Sequence, residues 1–444
     1  MQRGFPRRAG TSLALTDGSM IPPDKRPPMT RQYAWYMLFI LTAINFVNYI
    51  DRQVIISLGP FIQDDLSLSN FQFGLLGTAF MLIHSLATVP FGVLSDRWSR
   101  RNVIALGVLF WSAATFLSGL ASNFISLLGT RAAVGIGEAA YAPPANSMLS
   151  DAFPLRERAR ILGLFNVGMF VGGAVGLILG GMLGEIVGWR IGFFLVSLPG
   201  FLLAILAWHL REPPGVSLHE RTPMKALLHN RLLIYVLVGG IITAFSAGAL
   251  IWWMPQFVIR VRHFRPRDAG LYIGSVGVTA GLLGVIIGSY LADWLYTRWS
   301  WGRMATIGVG LLLSSPFVIL SLYATNRLEL MAYFFLSIFF MVWYTGPIIA
   351  VIHDVVPPDV KATAQALYIL LIHLLGDTFS PAIVGKLADL HSLQAALLLP
   401  AIINTVGGVI FLAGCRRLWR ETQRLPDKGT ATVPELSRTG TVDR

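Results

Sequence analysis

The sequence contains little charge and almost no cysteine. Only 13% of its 444 residues are Asp, Glu, Lys or Arg, whereas soluble domains contain about 25%. The single cysteine, Cys415, excludes an internal disulfide and every cysteine-rich metal site. The chain also lacks the H-E-x-x-H, G-x-S-x-G and G-x-x-x-x-G-K-[ST] motifs. We therefore expect neither a hydrolase nor an ATP-driven pump, and we expect no metal or organic cofactor.

Long apolar segments take the place of charge. Hydrophobic residues make up 54% of the chain, and its mean hydropathy is +0.63. Windows of about 20 apolar residues are long enough to span a bilayer as a helix. The sequence therefore predicts an all-α membrane protein with twelve transmembrane helices. The predicted spans are 33–60, 71–95, 102–121, 124–151, 157–187, 190–210, 232–259, 268–295, 303–324, 328–353, 360–388 and 391–415.

The positive charge follows the membrane topology. The net charge of +12 gathers in alternate connections between the predicted spans, as the positive-inside rule requires. This pattern predicts a protein of the cell (inner) membrane with both termini in the cytoplasm, and it favours membrane topology over nucleic-acid binding. The predicted divisions are a disordered tail (1–31), a six-helix bundle (32–210), a cytoplasmic connection (211–231), a second bundle (232–418) and a cytoplasmic tail (419–444). The stretch "RVRHFRPR" at 260–267 is an exception, because it falls on the non-cytoplasmic side. It is either a solvated loop or a rim that attracts anions.

The two halves of the chain resemble each other. "APPANSMLSDAFPLRERA" begins at residue 142 and "TGPIIAVIHDVVPPDVKA" at residue 345. At an offset of 203, Asp151 matches Asp354; nearer the start of each half, Asp96 matches Asp293 at an offset of 197. This repeat predicts two six-helix halves related by a pseudo-twofold axis, with substrate handled between them near the middle of the bilayer.

The turn "GVLSDRWSRR" at 92–101 is similar to the signature G-x-x-x-D-R-x-x-R-[RK] of the major facilitator superfamily. We interpret it as a cytoplasmic gate. Gly92 would let two helices approach closely, and Asp96 would face the amino end of a helix from the other half. The arginines would pair with Asp151 when the cytoplasmic side closes, and these contacts would break when it opens. Those arginines are Arg97, Arg100 and Arg101. The second half has a degraded copy of the signature, so we expect the first half to carry most of the gate.

A narrower resemblance covers most of the membrane part. "NYIDR" (48–52), "TRAAVGIGEAAYAPPANSMLSDAF" (130–153), "WWMPQF" (252–257) and "HLLGDTFSP" (373–381) resemble the Spinster family of lipid transporters. The resemblance implies secondary active transport of an amphiphilic lipid, such as a lysophospholipid or a sphingosine-phosphate-like molecule, by alternating access. The alternative is a carrier of small organic acids or drugs with the same fold; a receptor of this fold is a further reading. We expect a monomer.

Four ionisable residues fall at membrane depth in the first half. Asp51 and Arg52 lie on the first span, and Arg131 and Glu138 lie seven residues apart on one face of the fourth. Burial favours the protonated form of a carboxyl group, and a nearby guanidinium favours the carboxylate. We therefore predict a proton-coupling network in which Asp51 and Glu138 share Arg52 and Arg131. The alternative is a permanent set of ion pairs that only holds the two helices together.

The second half offers a different surface for substrate. His373 and Asp377 lie on one face of the eleventh span, and Asp377 either binds a head-group amine or caps a broken helix before Pro381. A helix-packing role is the simpler interpretation of His84 on the second span, and a proton relay is the alternative. We predict that aromatic residues of the second half complete the substrate cavity. These are Trp252, Trp253, Trp343, Tyr344, Tyr368 and Phe379.

Overall fold

The structure is a computed structural model that describes residues 29–154, 156–213, 230–356 and 360–424. Within these ranges the chain is helical and contains no strand, as the sequence predicts. Most of the predicted amino-terminal tail, most of the connection at 211–231 and the carboxyl-terminal tail from residue 425 lie outside the described residues. Those divisions of the chain stay predictions.

The described residues of the first half form seven α-helices. They are α1 (Arg31–Asp65), α2 (Asn70–Arg97), α3 (Arg100–Ser118), α4 (Phe124–Ala139), α5 (Ala142–Ala152), α6 (Arg158–Ile186) and α7 (Gly188–Trp208). Hydroxyl and amide side chains set several starting points, because each accepts a hydrogen bond from a free amide of the first turn. Thr30, Ser69 and Asn123 cap α1, α2 and α4 in this way.

The described residues of the second half are divided into more pieces. It contains α8 (Arg231–Arg260), α9 (Pro266–Tyr296), α10 (Gly302–Tyr323), α11 (Arg327–Met341), α12 (Pro347–Val355), α13 (Lys361–Leu371), α14 (Ser380–Leu390), α15 (Leu393–Ala396) and α16 (Leu398–Arg424). A 3₁₀ turn (Val342–Tyr344) and a π-helix (Ile372–Asp377) join pieces of two spans.

The fourth predicted span is broken into α4 and α5. The described residues contain 11 helices that are long and apolar enough to cross a membrane, and this span is not among them. Pro143 and Pro144 follow the break, and neither has the amide that would bond to the carbonyl of Ala139 or Ala140. Counted as one span, the α4–α5 pair completes the predicted twelve.

The two halves meet along close helix contacts. We call the end with Arg31, Arg97 and Arg100 the inner end and the opposite end, with Asp65 and Asn70, the outer end. On the outer half of the molecule the amide of Gln256 donates to the carbonyl of Ile56 at 2.6 Å, and Arg260 Nη2 lies 3.2 Å from Asp64 Oδ1. These bonds join α1 of the first half to α8 of the second.

Candidate functional site

The structure brings the four predicted coupling residues together between α1 and α4. Arg52 Nε donates to Glu138 Oε2 at 2.5 Å. Arg131 Nη1 lies 3.8 Å from Asp51 Oδ1, within ion-pair range but too far for a direct hydrogen bond. Asp51, Arg131 and Glu138 are 2%, 1% and 1% exposed. The predicted network is therefore two separate pairs, one tight and one loose.

Three residues outside the predicted network contact its members. The hydroxyl of Thr115 on α3 donates to Asp51 Oδ2 at 2.5 Å. Arg52 Nη2 lies 2.8 Å from His84 Nε2 on α2, and a guanidinium only donates, so His84 accepts this bond through an unprotonated nitrogen. The centre of the Phe80 ring lies 5.2 Å from the guanidinium of Arg52 and 5.4 Å from that of Arg131, so one aromatic ring contacts both cations.

The site holds buried polar atoms that have no hydrogen-bond partner among the described residues. They include Glu138 Oε1, Asp51 Oδ1, His84 Nδ1 and two nitrogens of Arg131. Buried polar atoms are nearly always paired in native proteins. These atoms therefore keep unused hydrogen-bonding capacity inside the site.

His373 and Asp377 form a pair on the π-helix of the second half. His373 Nδ1 lies 2.8 Å from Asp377 Oδ2, and Asp377 Oδ1 has no partner among the described residues. The helix is broken here, as the alternative of a capped break requires, but no side chain caps the start of α14. The carboxylate of Asp377 is thus oriented by His373 and keeps one free oxygen.

Four of the six predicted cavity aromatics lie inside helix contacts. Trp253 is fully buried, and its indole nitrogen donates to the carbonyl of Pro381 at 2.9 Å. Trp252 packs opposite Gly77, Trp343 opposite Gly288 and Tyr368 opposite Gly240. The glycines make room for the rings, so these four residues pack helices in this conformation. Tyr344 is half-buried and Phe379 is exposed.

At the inner end, the predicted gate contact of Arg100 forms within one half. Arg100 Nη1 donates to Asp151 Oδ2 at 2.6 Å, which joins α3 to α5 of the same half. Both residues belong to the same half, so a rigid movement of one half against the other would leave the pair together; that the pair breaks on opening stays a prediction. The side chain of Arg101 bonds to the carbonyl of Leu210, and Arg97 is exposed.

The second half carries the same pair. Arg303 Nη1 donates to Asp354 Oδ2 at 2.7 Å, and its Nε and Nη2 donate to Asp293 Oδ1 at 2.9 and 2.8 Å. Arg303 and Asp354 stand at the repeat offset of 203 from Arg100 and Asp151. The second half therefore keeps one arginine–aspartate contact of this kind, although its copy of the signature lacks the glycine and the first arginine; that the first half carries most of the gate stays a prediction.

Two further inner-end residues differ from their predicted roles or cannot be placed. A Cβ on Gly92 would meet nothing within 4 Å among the described residues, so no close helix contact depends on this glycine here. The side chain of Asp96 lies outside the described part of the chain, and its pairing stays a prediction.

The basic stretch at 260–267 is held by contacts with its surroundings. Arg262 Nη2 donates to the carbonyl of Leu322, and the backbone amide of Arg267 donates to Glu185 Oε1 at 3.1 Å. With the pair of Arg260 and Asp64, the stretch is thus fixed to both halves at the outer end. The described residues contain no group of three or more His, Cys, Asp or Glu that could hold a metal ion.

Comparisons with known proteins point to one family. The sequence profile of the Major Facilitator Superfamily matches residues 41–320 and again 275–438. The chain is 31% identical over 376 residues to Protein spinster of Drosophila melanogaster, a match that covers 80% of this chain and 62% of that protein. It is 30% identical over 420 residues to Protein spinster homolog 1 of Xenopus laevis, covering 85% of this chain and 79% of that protein.

A solved structure supports the same assignment. It is the crystal structure of a bacterial homologue of the human lysosomal transporter Spinster, in an inward-facing and occupied conformation. The likeness has a TM-score of 0.79 at 25% identity and covers 87% of this chain and 98% of that one. The chain is therefore a multi-pass membrane transporter of the Major Facilitator Superfamily, and within that superfamily it belongs to the Spinster family.

Proposed function

We propose that this chain is a proton-coupled secondary active transporter that moves a lysophospholipid or sphingosine-phosphate-like amphiphile by alternating access. The observation that carries the proposal is the buried site of Asp51, Arg52, Arg131 and Glu138, which holds two acids and two guanidinium groups at membrane depth. Ionisable groups at this depth are costly and are retained for function. A working monomer in the inner membrane, with both termini in the cytoplasm, is part of the proposal.

Charge balance explains how a proton would favour an anionic head group. With both carboxylates ionised and both arginines charged, the four residues sum to zero, and His84 adds no charge while it accepts from Arg52. Protonation of either carboxylate leaves one positive charge inside the membrane. An anionic head group would neutralise this charge, and the phosphate of a zwitterionic head group would pair with it locally, so proton and substrate would support each other's binding.

The second half supplies the complementary part. Asp377, oriented by His373 and with one free oxygen, would accept a hydrogen bond from a head-group amine. The half-buried Tyr344 and the exposed Phe379 would offer aromatic surface to an apolar tail. A carrier of small organic acids or drugs is the alternative.

Uptake of labelled lysophospholipid into proteoliposomes, with and without a pH gradient, tests the proposal. We expect gradient-dependent uptake by the unaltered chain and loss of that dependence in Glu138→Gln. The matched control is Glu157→Gln, the same chemical change at a glutamate of the inner end that pairs with the exposed Arg31; it should transport normally.

Two other results would redirect the proposal. Uptake no greater than in empty liposomes would remove this lipid class and favour the small-acid or drug carrier. Uptake that ignores both the gradient and Glu138→Gln would mean a facilitator in which Glu138 only holds α1 and α4 together.

A further inference from the structure

The amino end of α2 is bound by a carboxylate from the other half. The backbone amides of Asn70 and Phe71 donate to the two oxygens of Asp389 at 2.9 and 2.8 Å. Asp389 lies at the outer end of α14, and the ammonium of Lys386 on the same helix lies 5.6 Å from the centre of the Phe71 ring. These contacts join the second half to the first at the outer end.

The reverse contact exists on the opposite side of the molecule. The backbone amide of Arg267, in the first turn of α9, donates to Oε1 of Glu185 at 3.1 Å. Glu185 lies near the outer end of α6. Here a carboxylate of the first half binds the amino end of a helix from the second.

The two contacts are copies within the internal repeat. Asp389 follows Glu185 by 204 positions, and Arg267 follows Asn70 by 197, close to the offsets found elsewhere in the repeat. A glycine stands four residues before each carboxylate, at Gly181 and Gly385.

Each of these glycines lets its helix approach the other half. A Cβ on Gly181 would overlap the carbonyl oxygen of Pro266, and one on Gly385 would overlap the carbonyl oxygen of Asn70. Both carbonyls belong to the first residue of the helix that is being bound. The glycine therefore brings the helix close enough for the carboxylate one turn later to reach its free amides.

We propose that Asp389 and Glu185, with Gly385 and Gly181, form a reciprocal outer latch that holds the outer end of the transporter closed. The first amides of a helix have no partner inside it and carry the positive end of its dipole, so a carboxylate binds them favourably. Because each carboxylate and the helix that it binds belong to different halves, opening of the outer end must break both contacts. The latch acts on the conformational equilibrium and does not depend on which substrate is carried.

Distances between spin labels test the outer latch directly. An outer pair, Ile125→Cys with Leu328→Cys, places one label on each half at positions that are 69% and 81% exposed. An inner pair, Arg156→Cys with Trp299→Cys, reports the opposite end. Both pairs are made in a Cys415→Ala chain, because Cys415 is the natural cysteine of the sequence.

Removal of either charge should open the outer end. Asp389→Asn and Glu185→Gln each remove the charge and keep one side-chain acceptor. Both carboxylates are exposed, so the effect of each charge is modest. We expect about a threefold rise in the ratio of open to closed outer distances for each variant. The double variant should give about tenfold, with a matching shortening of the inner distance. The matched control is Asp65→Asn, an outer-end carboxylate whose partner Arg190 lies in the same half; its distances should equal those of the unaltered chain.

Outer distances in the double variant that match those of Asp65→Asn would overturn the proposal. If the double variant instead broadens both label pairs through loss of the fold, Gly181→Ala and Gly385→Ala decide the question. The added methyl should lengthen the outer distance and shorten the inner one, and an unchanged outer distance in both would refute the latch.

Discussion

Asp51 and Arg52 contact different partners within the proposed coupling site. Arg52 follows Asp51 directly on α1, and consecutive helical residues point about 100° apart. Asp51 therefore faces Thr115 on α3, whereas Arg52 faces His84 on α2 and Glu138 on α4. The loose distance to Arg131 leaves the hydroxyl of Thr115 as the close partner of Asp51.

We predict that Thr115→Val lowers both stability and transport. The substitution keeps the shape of the side chain but removes a hydroxyl that is fully buried, and a buried acceptor left without its donor costs about 1–3 kcal/mol. Thermal unfolding in detergent and proteoliposome uptake would measure the two effects. Thr115→Ser keeps the hydroxyl and should retain most of the transport; equal behaviour of the Val and Ser variants would contradict a role for this hydrogen bond.

The sequence predicted which residues of the coupling site meet, but not how they pair. Depth and spacing placed Asp51, Arg52, Arg131 and Glu138 at one level, and the structure brings them together. The choice of partner depends on how the helices are rotated against each other, which spacing along one helix does not determine. Thr115 carried a weak signal, since it stands with Ser112 and Ser118 in a polar row on an otherwise apolar helix.

At the scale of helices, one span in each half is broken just before a proline. Pro144 and Pro347 stand at the repeat offset of 203, and in each half the span is interrupted just before them. Hydropathy predicted that these spans exist because it averages over about 20 residues. It did not predict the interruptions, since a lost amide changes hydrogen bonding and leaves the apolar character intact.

Arg100 and Arg303 each join helices within one half, and we predict that both residues contribute to stability. Arg100→Gln should lower the free energy of unfolding by about 1–2 kcal/mol, because it leaves the partly buried carboxylate of Asp151 without its charged partner. Arg303→Gln should act similarly on the second half through Asp354. Unfolding in detergent measures the loss of stability in each variant, and the inner label pair measures the inner distance.

A charge exchange provides the control for this prediction. Arg100→Asp combined with Asp151→Arg should recover part of the lost stability, because the pair reforms with its charges reversed. A shift of the inner distance by Arg100→Gln without any loss of stability would instead support the gate interpretation.

Across the whole molecule, the halves complete each other's backbone hydrogen bonds at the outer end. Asp389 and Glu185 do so at helix starts, and Gln256 does so within a helix. Pro60 lies inside α1 and has no amide to bond to the carbonyl of Ile56, four residues earlier. The buried amide of Gln256, from α8 of the other half, donates to that carbonyl at 2.6 Å.

This arrangement predicts a rescue between positions in opposite halves. Gln256→Leu leaves the carbonyl of Ile56 buried and unpaired while the outer end is closed. Opening of the outer end exposes this carbonyl to water. The cost of an unpaired buried acceptor, about 1–3 kcal/mol, therefore destabilises the closed state alone. The ratio of open to closed outer distances should rise at least about fivefold. Pro60→Ala supplies the missing amide within α1, so the double variant Pro60→Ala/Gln256→Leu should return towards the closed distribution. The outer label pair measures all of these distance distributions. A double variant as open as Gln256→Leu alone would mean that Gln256 acts through packing and not through this carbonyl.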